Sequence, residues 1–235
     1  MSLNKQSNIY TIIYTIVMVT VVGTALALTA MSLKPTQNRN ISADKMKQIL
    51  ASVHVTPGQD VIADFDRLIV EQYIVNADGN RIEGNAFDVD VAAQVKIAES
   101  ERQLPVFVCQ LPEDGSLKYI LPMYGAGLWG PIWGYIAVNA DGKTIYGAYF
   151  AHQGETPGLG AEIEKEAFSR QFDGKNLFNG ETFVPVAVLK KGLKPAEGQD
   201  YVDAISGGTI TSTGVSNMIA ASLTPYQQFL KSLND

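Results

Sequence analysis

The chain has 235 residues, with 18 lysines plus arginines against 24 aspartates plus glutamates and a formal net charge of −6. No lysine- and arginine-rich run occurs, so the sequence lacks the electrostatic footprint of a nucleic-acid binder. One cysteine (Cys109) and two histidines (His54 and His152) exclude an intrachain disulfide and a multi-cysteine metal centre, and no metal site is expected.

The N-terminus sets the class. No charged residue falls between Lys5 and Lys34, and Tyr10 to Leu33 is apolar apart from threonines, a serine and Gly23. About 20 such residues cross the hydrocarbon core of a bilayer. The run exceeds the roughly 7–15 residues of a signal-peptide core, so residues 1–33 are expected to form an uncleaved single-pass anchor. Cleavage near Ala30 is the alternative. The threonine hydroxyls can bond back to the preceding helical turn. Lys34, Arg39, Lys45 and Lys47 outnumber Lys5 plus the amino terminus. By the positive-inside rule this asymmetry, weakened by Asp44, places the main domain in the cytoplasm.

Residues 34–41 are expected to be a polar tether without apolar periodicity, and residues 42–235 the main domain. Ser42 opens a helix signal. Ala43, Met46 and Leu50 share one face, Ile49 widens it, and Asp44 complements the dipole of the first turn. The helix should end before Pro57-Gly58.

The middle of the chain reads mostly as β. Leu68–Val75 is rich in branched residues and ends at the turn Asn76-Ala77-Asp78-Gly79. Asn85–Lys96 fits a helix or a strand. Leu104–Leu111 and Leu117–Met123 flank Pro112-Glu113-Asp114-Gly115, and Trp133–Val138 and Thr144–Phe150 flank Asn139-Ala140-Asp141-Gly142. These spacings predict two antiparallel hairpins. Cys109, inside an apolar run, should be a buried core residue rather than a reactive thiol.

Two glycine-rich stretches stand apart. Tyr124–Gly134 sets four glycines among Trp129 and Trp133. A planar ring could lie there, or the tryptophans could anchor the sheet. In His152–Ile163, Pro157-Gly158 predicts a turn with the N–H groups of Gly158 and Gly160 exposed. A helix should follow, with Glu162, Glu164 and Glu166 near its start and Phe168 inside. No Ser-His-Asp order, HExxH motif or Walker loop is present, so no catalytic acid or base is assigned. Structural roles are expected for His152 and Glu155.

A third stretch, Asp203–Gly214, holds two adjacent glycines and five hydroxyls before the helical stripe Val215, Met218, Ile219 and Leu223. Ser212 or Thr213 can serve as its N-cap. Hydroxyls and free backbone at a helix start suit a phosphate, or simply cap the helix.

Asp203-Ala204-Ile205-Ser206-Gly207-Gly208-Thr209 resembles the flavinylation motif of FMN-binding domains, in which the last threonine is esterified to the FMN phosphate. Gly208 stands where that motif usually has alanine. Gly127–Gly130 (Gly-Leu-Trp-Gly) and Glu155–Gly160 (Glu-Thr-Pro-Gly-Leu-Gly) resemble motifs of the C subunit of the Na⁺-translocating NADH:quinone reductase. The anchor extends this resemblance over nearly the whole chain. It implies an α+β fold, a curved antiparallel sheet flanked by helices behind one transmembrane helix. It implies one FMN bound to Thr209 by a phosphoester, attached by a separate Mg²⁺-dependent flavin transferase with FAD as donor. Ser206, Gly207, Gly208, Thr211, Trp129, Glu155, Thr156, Gly158, Leu159 and Gly160 become the candidate flavin contacts. Thr211 is expected to donate to phosphate. The implied role is an electron relay among the other subunits of a bacterial inner-membrane complex, with the domain in the periplasm. The alternatives are the corresponding G subunit of the Rnf complex, or a stand-alone membrane-anchored flavoprotein. The absence of a nicotinamide site argues against the last.

Overall fold

A computed structural model of the chain describes residues 7–233. The first six residues of the expected anchor, Lys5 included, and the last two of the main domain lie outside the described residues. The chain divides between Lys45 and Met46 into two compact units.

The first unit is helical. Helix α1 (Asn8–Ala51) runs unbroken for 44 residues, and its apolar part, with a mean hydropathy of 2.2, is long enough to cross a membrane. The Thr20 and Thr29 hydroxyls donate to the carbonyls of Ile16 and Ala25, each at 2.8 Å, as expected. The tether and the separate helix start at Ser42 are corrected: residues 34–41 lie inside α1, with Pro35 among them. Lys, Gln and Arg are good helix formers. Extending a helix adds one bond per residue fixed, whereas a break and a restart need a second nucleation.

In the second unit α1 ends with Ile49 and Leu50 buried. His54 takes φ +62°, which stops the helix before Pro57. Asp60, accepting from the Ala63 N–H at 3.1 Å, caps α2 (Val61–Leu68). Next come β1 (Ile69–Val75), β2 (Arg81–Ile82), the helical turn α3 (Val91–Gln94), β3 (Leu104–Gln110), β4 (Leu117–Ala126), β5 (Pro131–Asn139) and β6 (Ile145–His152). The ambiguous stretch 85–96 holds a 3₁₀ turn at Ala86–Asp88 and α3, with no strand.

The sheet order is β2-β1-β3-β4-β5-β6, antiparallel throughout, and both expected hairpins are present. Alternate residues of β3 enter different cores: Val106 and Val108 pack on one face, Phe107 and Cys109 on the other. Burial on both faces is why these strands read as continuous apolar runs. The end of α1 and α2 cover the Phe107 face. Burial pushes the Cys109 thiol up to about 11, which makes it inert.

The other face takes the rest of the chain. Glu162–Phe168 is not one helix. A 3₁₀ turn (Gly160–Glu164) leads to α4 (Glu166–Ser169) and a further 3₁₀ turn. The small hairpin β7 (Phe178–Asn179) and β8 (Thr182–Phe183) follows. Strands β9 (Ala187–Leu189) and β10 (Tyr201–Asp203) pair in parallel, a pairing that Asp-Gly turns did not announce. Helix α5 (Thr209–Leu223) buries Val215, Met218, Ile219 and Leu223 as the stripe predicts, and α6 (Gln227–Ser232) closes the core.

Candidate functional site

The three singled-out stretches meet at one end of the sheet. The Tyr124–Gly134 stretch is the β4–β5 hairpin, closed by Gly127 N–H donating to the Gly130 carbonyl at 2.8 Å. Trp133 turns inward, and its indole N–H donates to Gln48 Oε1 at 2.9 Å. Trp129 stays on the loop, 69% exposed. The two readings of that stretch therefore divide between its tryptophans.

After β6 the chain makes the predicted turn. Leu159 N–H closes on the Thr156 carbonyl at 3.1 Å, with Gly158 at φ +76° after Pro157. The expectation of exposed N–H groups is corrected. Gly158 N–H donates to Glu162 Oε1 at 3.1 Å, and Gly160 is buried.

The Asp203–Gly208 loop leaves β10 through a turn in which Gly208 N–H donates to the Ile205 carbonyl at 3.0 Å and Gly207 takes φ +75°. That conformation costs a side-chain-bearing residue but not glycine. Helix α5 begins at Thr209, four residues earlier than a Ser212 cap requires. Gly208 is the N-cap, and no side chain bonds the end. Ser212 is buried with its hydroxyl accepting from Ile205 N–H at 3.0 Å. The Thr213 hydroxyl donates back to the Thr209 carbonyl at 3.0 Å. Neither is free to cap, so the first N–H groups of α5 keep their donor capacity. Thr209, its first residue, is exposed.

Close packing brings this helix start to the hairpin loop: Gly125 abuts Met218, and Gly214 abuts the Ala126 carbonyl. Between them lies a cleft of about 350 Å³, lined by Leu128, Trp129, Thr156, Leu159 and Thr209 with Glu155 and the glycines. Of the sequence-predicted contacts, Trp129, Glu155, Thr156, Leu159, Gly160, Gly207, Gly208, Thr209 and Thr211 line it. Ser206 and Gly158 instead line a neighbouring cleft of about 510 Å³ with Lys165 and Asp203. Leu128 and Ile210 were missed, although Leu128 stands inside the Gly-Leu-Trp-Gly motif and Ile210 adjoins Thr209.

Glu155 sits beneath this cleft, 5% exposed. Its Oε1 accepts from Trp129 N–H at 2.8 Å, and its Oε2 accepts from the Thr211 hydroxyl at 2.5 Å. The expectation that Thr211 donates to phosphate is corrected: its hydroxyl is buried and given to Glu155. A Cβ on Gly127 or Gly160 would collide with the carboxylate. Burial works against the charged form. The Thr211 hydroxyl, the Trp129 and Leu128 amides and a weaker attraction to His152 outweigh it, and hold Glu155 below the ordinary glutamate value. His152 Nδ1 accepts from Glu155 N–H at 3.1 Å, which fixes the ring orientation.

The cleft suits a flat, phosphate-bearing group. Leu128, Trp129, Leu159 and Ile210 expose 47%, 69%, 42% and 59% of their surface around it, a patch that marks a binding site rather than a solvated face. The uncapped start of α5 offers N–H donors and a positive dipole end to a phosphate. Every residue lining the cleft falls within 127–224, which match the family model of the FMN-binding domain. Fold and site define a flavoprotein of the FMN-binding class.

The chain is 33% identical over 204 residues to the C subunit of the Na⁺-translocating NADH-quinone reductase of Vibrio vulnificus, covering 80% of each. It is 31% identical to that of Vibrio anguillarum, covering 92% of this chain and 91% of the other. The crystal structure of the same kind of subunit from Parabacteroides distasonis superposes with a TM-score of 0.79 at 50% identity, over 84% of this chain and 96% of that one. Shewanella oneidensis NqrC gives 0.66 at 27%, over 83% and 98%. The chain belongs to the family of C subunits of the Na⁺-translocating NADH-quinone reductase, an oxidoreductase.

Proposed function

We propose that this chain is the electron-relaying subunit of a Na⁺-exporting NADH:quinone oxidoreductase and that it carries FMN through a phosphoester on Thr209. The observation that supports this most is the placement of Thr209. It is an exposed hydroxyl on the first residue of an uncapped helix, at the edge of an apolar-rimmed cleft. The flavin supplies the electron-accepting and electron-donating chemistry when bound.

The chain's own residues attach, orient and shield. Trp129, Leu128, Leu159 and Ile210 supply apolar surface for a ring, and Thr156 supplies a hydroxyl at the cleft wall. The amides at the start of α5 bind the phosphate. Among the described residues lining the cleft, Glu155 is the one ionisable side chain, and both its oxygens are engaged. No base stands ready to activate Thr209, whose hydroxyl is a weak nucleophile on its own. Attachment therefore falls to an external flavin transferase. The threonine oxygen forms a bond to the FMN phosphorus of FAD as the pyrophosphate bond breaks, AMP leaves, and the transferase takes the hydroxyl proton. The α1 span holds the chain in the bacterial inner membrane beside the other subunits, with the domain in the periplasm.

The test is fluorescence of the denatured chain, made in cells that hold the transferase. A fluorescent band in a denaturing gel, absent in Thr209→Ala, is expected. Flavin that separates from the chain on denaturation would overturn the covalent bond. Protease added to intact spheroplasts should digest the domain, and full protection would place it inside.

A further inference from the structure

Glu155 is more than a lining residue. The carboxylate joins parts of the cleft that are far apart in sequence. Oε1 holds the amide of Trp129 in the β4–β5 loop, and Oε2 holds the hydroxyl of Thr211, two residues past Thr209. Gly127 and Gly160 leave room for the carboxylate, since a Cβ on either would strike it. His152 Nδ1 holds the Glu155 backbone N–H at 3.1 Å, and the His152 ring lies 3.7 Å from Glu164 Oε1. The exposed Trp129 indole thus hangs from a loop whose backbone is tied, through one buried carboxylate, to the helix turn that carries Thr209.

The carboxylate also answers an electrostatic imbalance. Helix α5 has no acidic residue in its first turn and no side-chain cap. Its positive end is faced instead by Glu155, which reaches the first turn from another segment. Because Glu155 bonds the Thr211 hydroxyl and not the helix amides, those amides stay available to a phosphate. Removing the charge leaves the positive helix end unopposed beside the cleft.

We propose that Glu155 is a positioning residue for the flavin: its carboxylate clamps the Gly127–Gly130 loop to the first turn of α5 and places beside the ring a fixed negative charge that holds its reduction potential down. The charge half of this proposal rests on the FMN reading above; the clamp half does not.

The experiment uses the full-length chain in detergent, made with and without the transferase. Amide exchange is read on the flavin-free form of wild type and Glu155→Ala. The Trp129 amide should exchange about tenfold faster or more in the variant, because it loses a hydrogen bond to a charged acceptor. Unchanged exchange at that amide would overturn the clamp. On the flavin-loaded form, Glu155→Gln keeps the size and an acceptor oxygen but removes the charge. The midpoint potential, read by redox titration of the flavin absorbance and so only on chains that carry FMN, should rise. An unchanged or lowered potential would overturn the charge role. A wild-type chain with no bound flavin would overturn the functional reading and the charge role together, and the exchange data would still decide the clamp.

Discussion

The cleft beside Thr209 and the one beneath His54 are of similar size, about 350 and 290 Å³, and differ in how their polar groups are satisfied. Around His54 the charged side chains answer one another. Arg170 meets Glu166 at 2.9 Å and Asp173 at 3.3 Å, and His54 Nε2 lies 3.2 Å from both Asp173 and the Tyr146 carbonyl. Around Thr209 the one carboxylate is spent on loop and helix, the helix end is uncapped, and the rim is apolar and exposed. Size does not make a site. Unmet donors beside uncovered apolar surface do, and of these two clefts the one beside Thr209 has both.

The largest effect should come from Thr209→Ala. Covalent FMN should vanish, while the thermal unfolding midpoint stays close to wild type, since removing an exposed hydroxyl changes stability by no more than about 0.5 kcal/mol. Thr209→Ala with FMN still attached to another residue would undo the contrast between the clefts.

Gly160→Ala comes next. Its methyl group meets Glu155 and Thr211 in a buried spot. Such overpacking should destabilise the domain by about 1–3 kcal/mol in denaturant unfolding and lower FMN occupancy.

A smaller effect should appear with pH. Glu155 is held below the ordinary glutamate value of 4.5 in the folded chain. A lowered folded value means that the ionised carboxylate's contribution is complete above the unfolded value and disappears as pH falls through the folded one. Protection of the Trp129 amide should therefore hold from neutral pH down to that range and drop below it. In Glu155→Gln it should show no such drop. The local readout matters because Asp64, Asp114 and Asp141 are lowered too and contribute to global acid sensitivity.

The smallest effect belongs to the other cleft. Arg170→Ala removes exposed ion pairs worth at most about 1 kcal/mol and should leave FMN content unchanged. A loss of FMN there would blur the distinction between the two clefts.

Much of this architecture is legible in the sequence. The apolar N-terminal helix, both hairpins and the α5 stripe follow from apolar runs, turn residues and helical spacing. What escaped reading depends on contacts across the chain. The continuous α1 hides a polar stretch that looks like a tether, because helix propagation overrides local composition. The start of α5 reads four residues late, because Ser212 is drawn to Ile205 instead of capping. The parallel pairing of β9 and β10 has no local signal. At the site, Thr209, Trp129 and Leu159 are readable from motifs. The task of Glu155 is not, since the loop amides and Thr211 it joins are brought to it only by the packing of α5 on the β4–β5 hairpin.

The function proposed for this chain comes down to one bond on one residue. Peptide mass mapping of the full-length native protein, made in cells that contain the flavin transferase, tests it most directly. The peptide bearing Thr209 should carry the added mass of FMN less one water, with fragmentation placing it on that threonine. The same peptide recovered unmodified, with FMN absent or bound elsewhere, would contradict it.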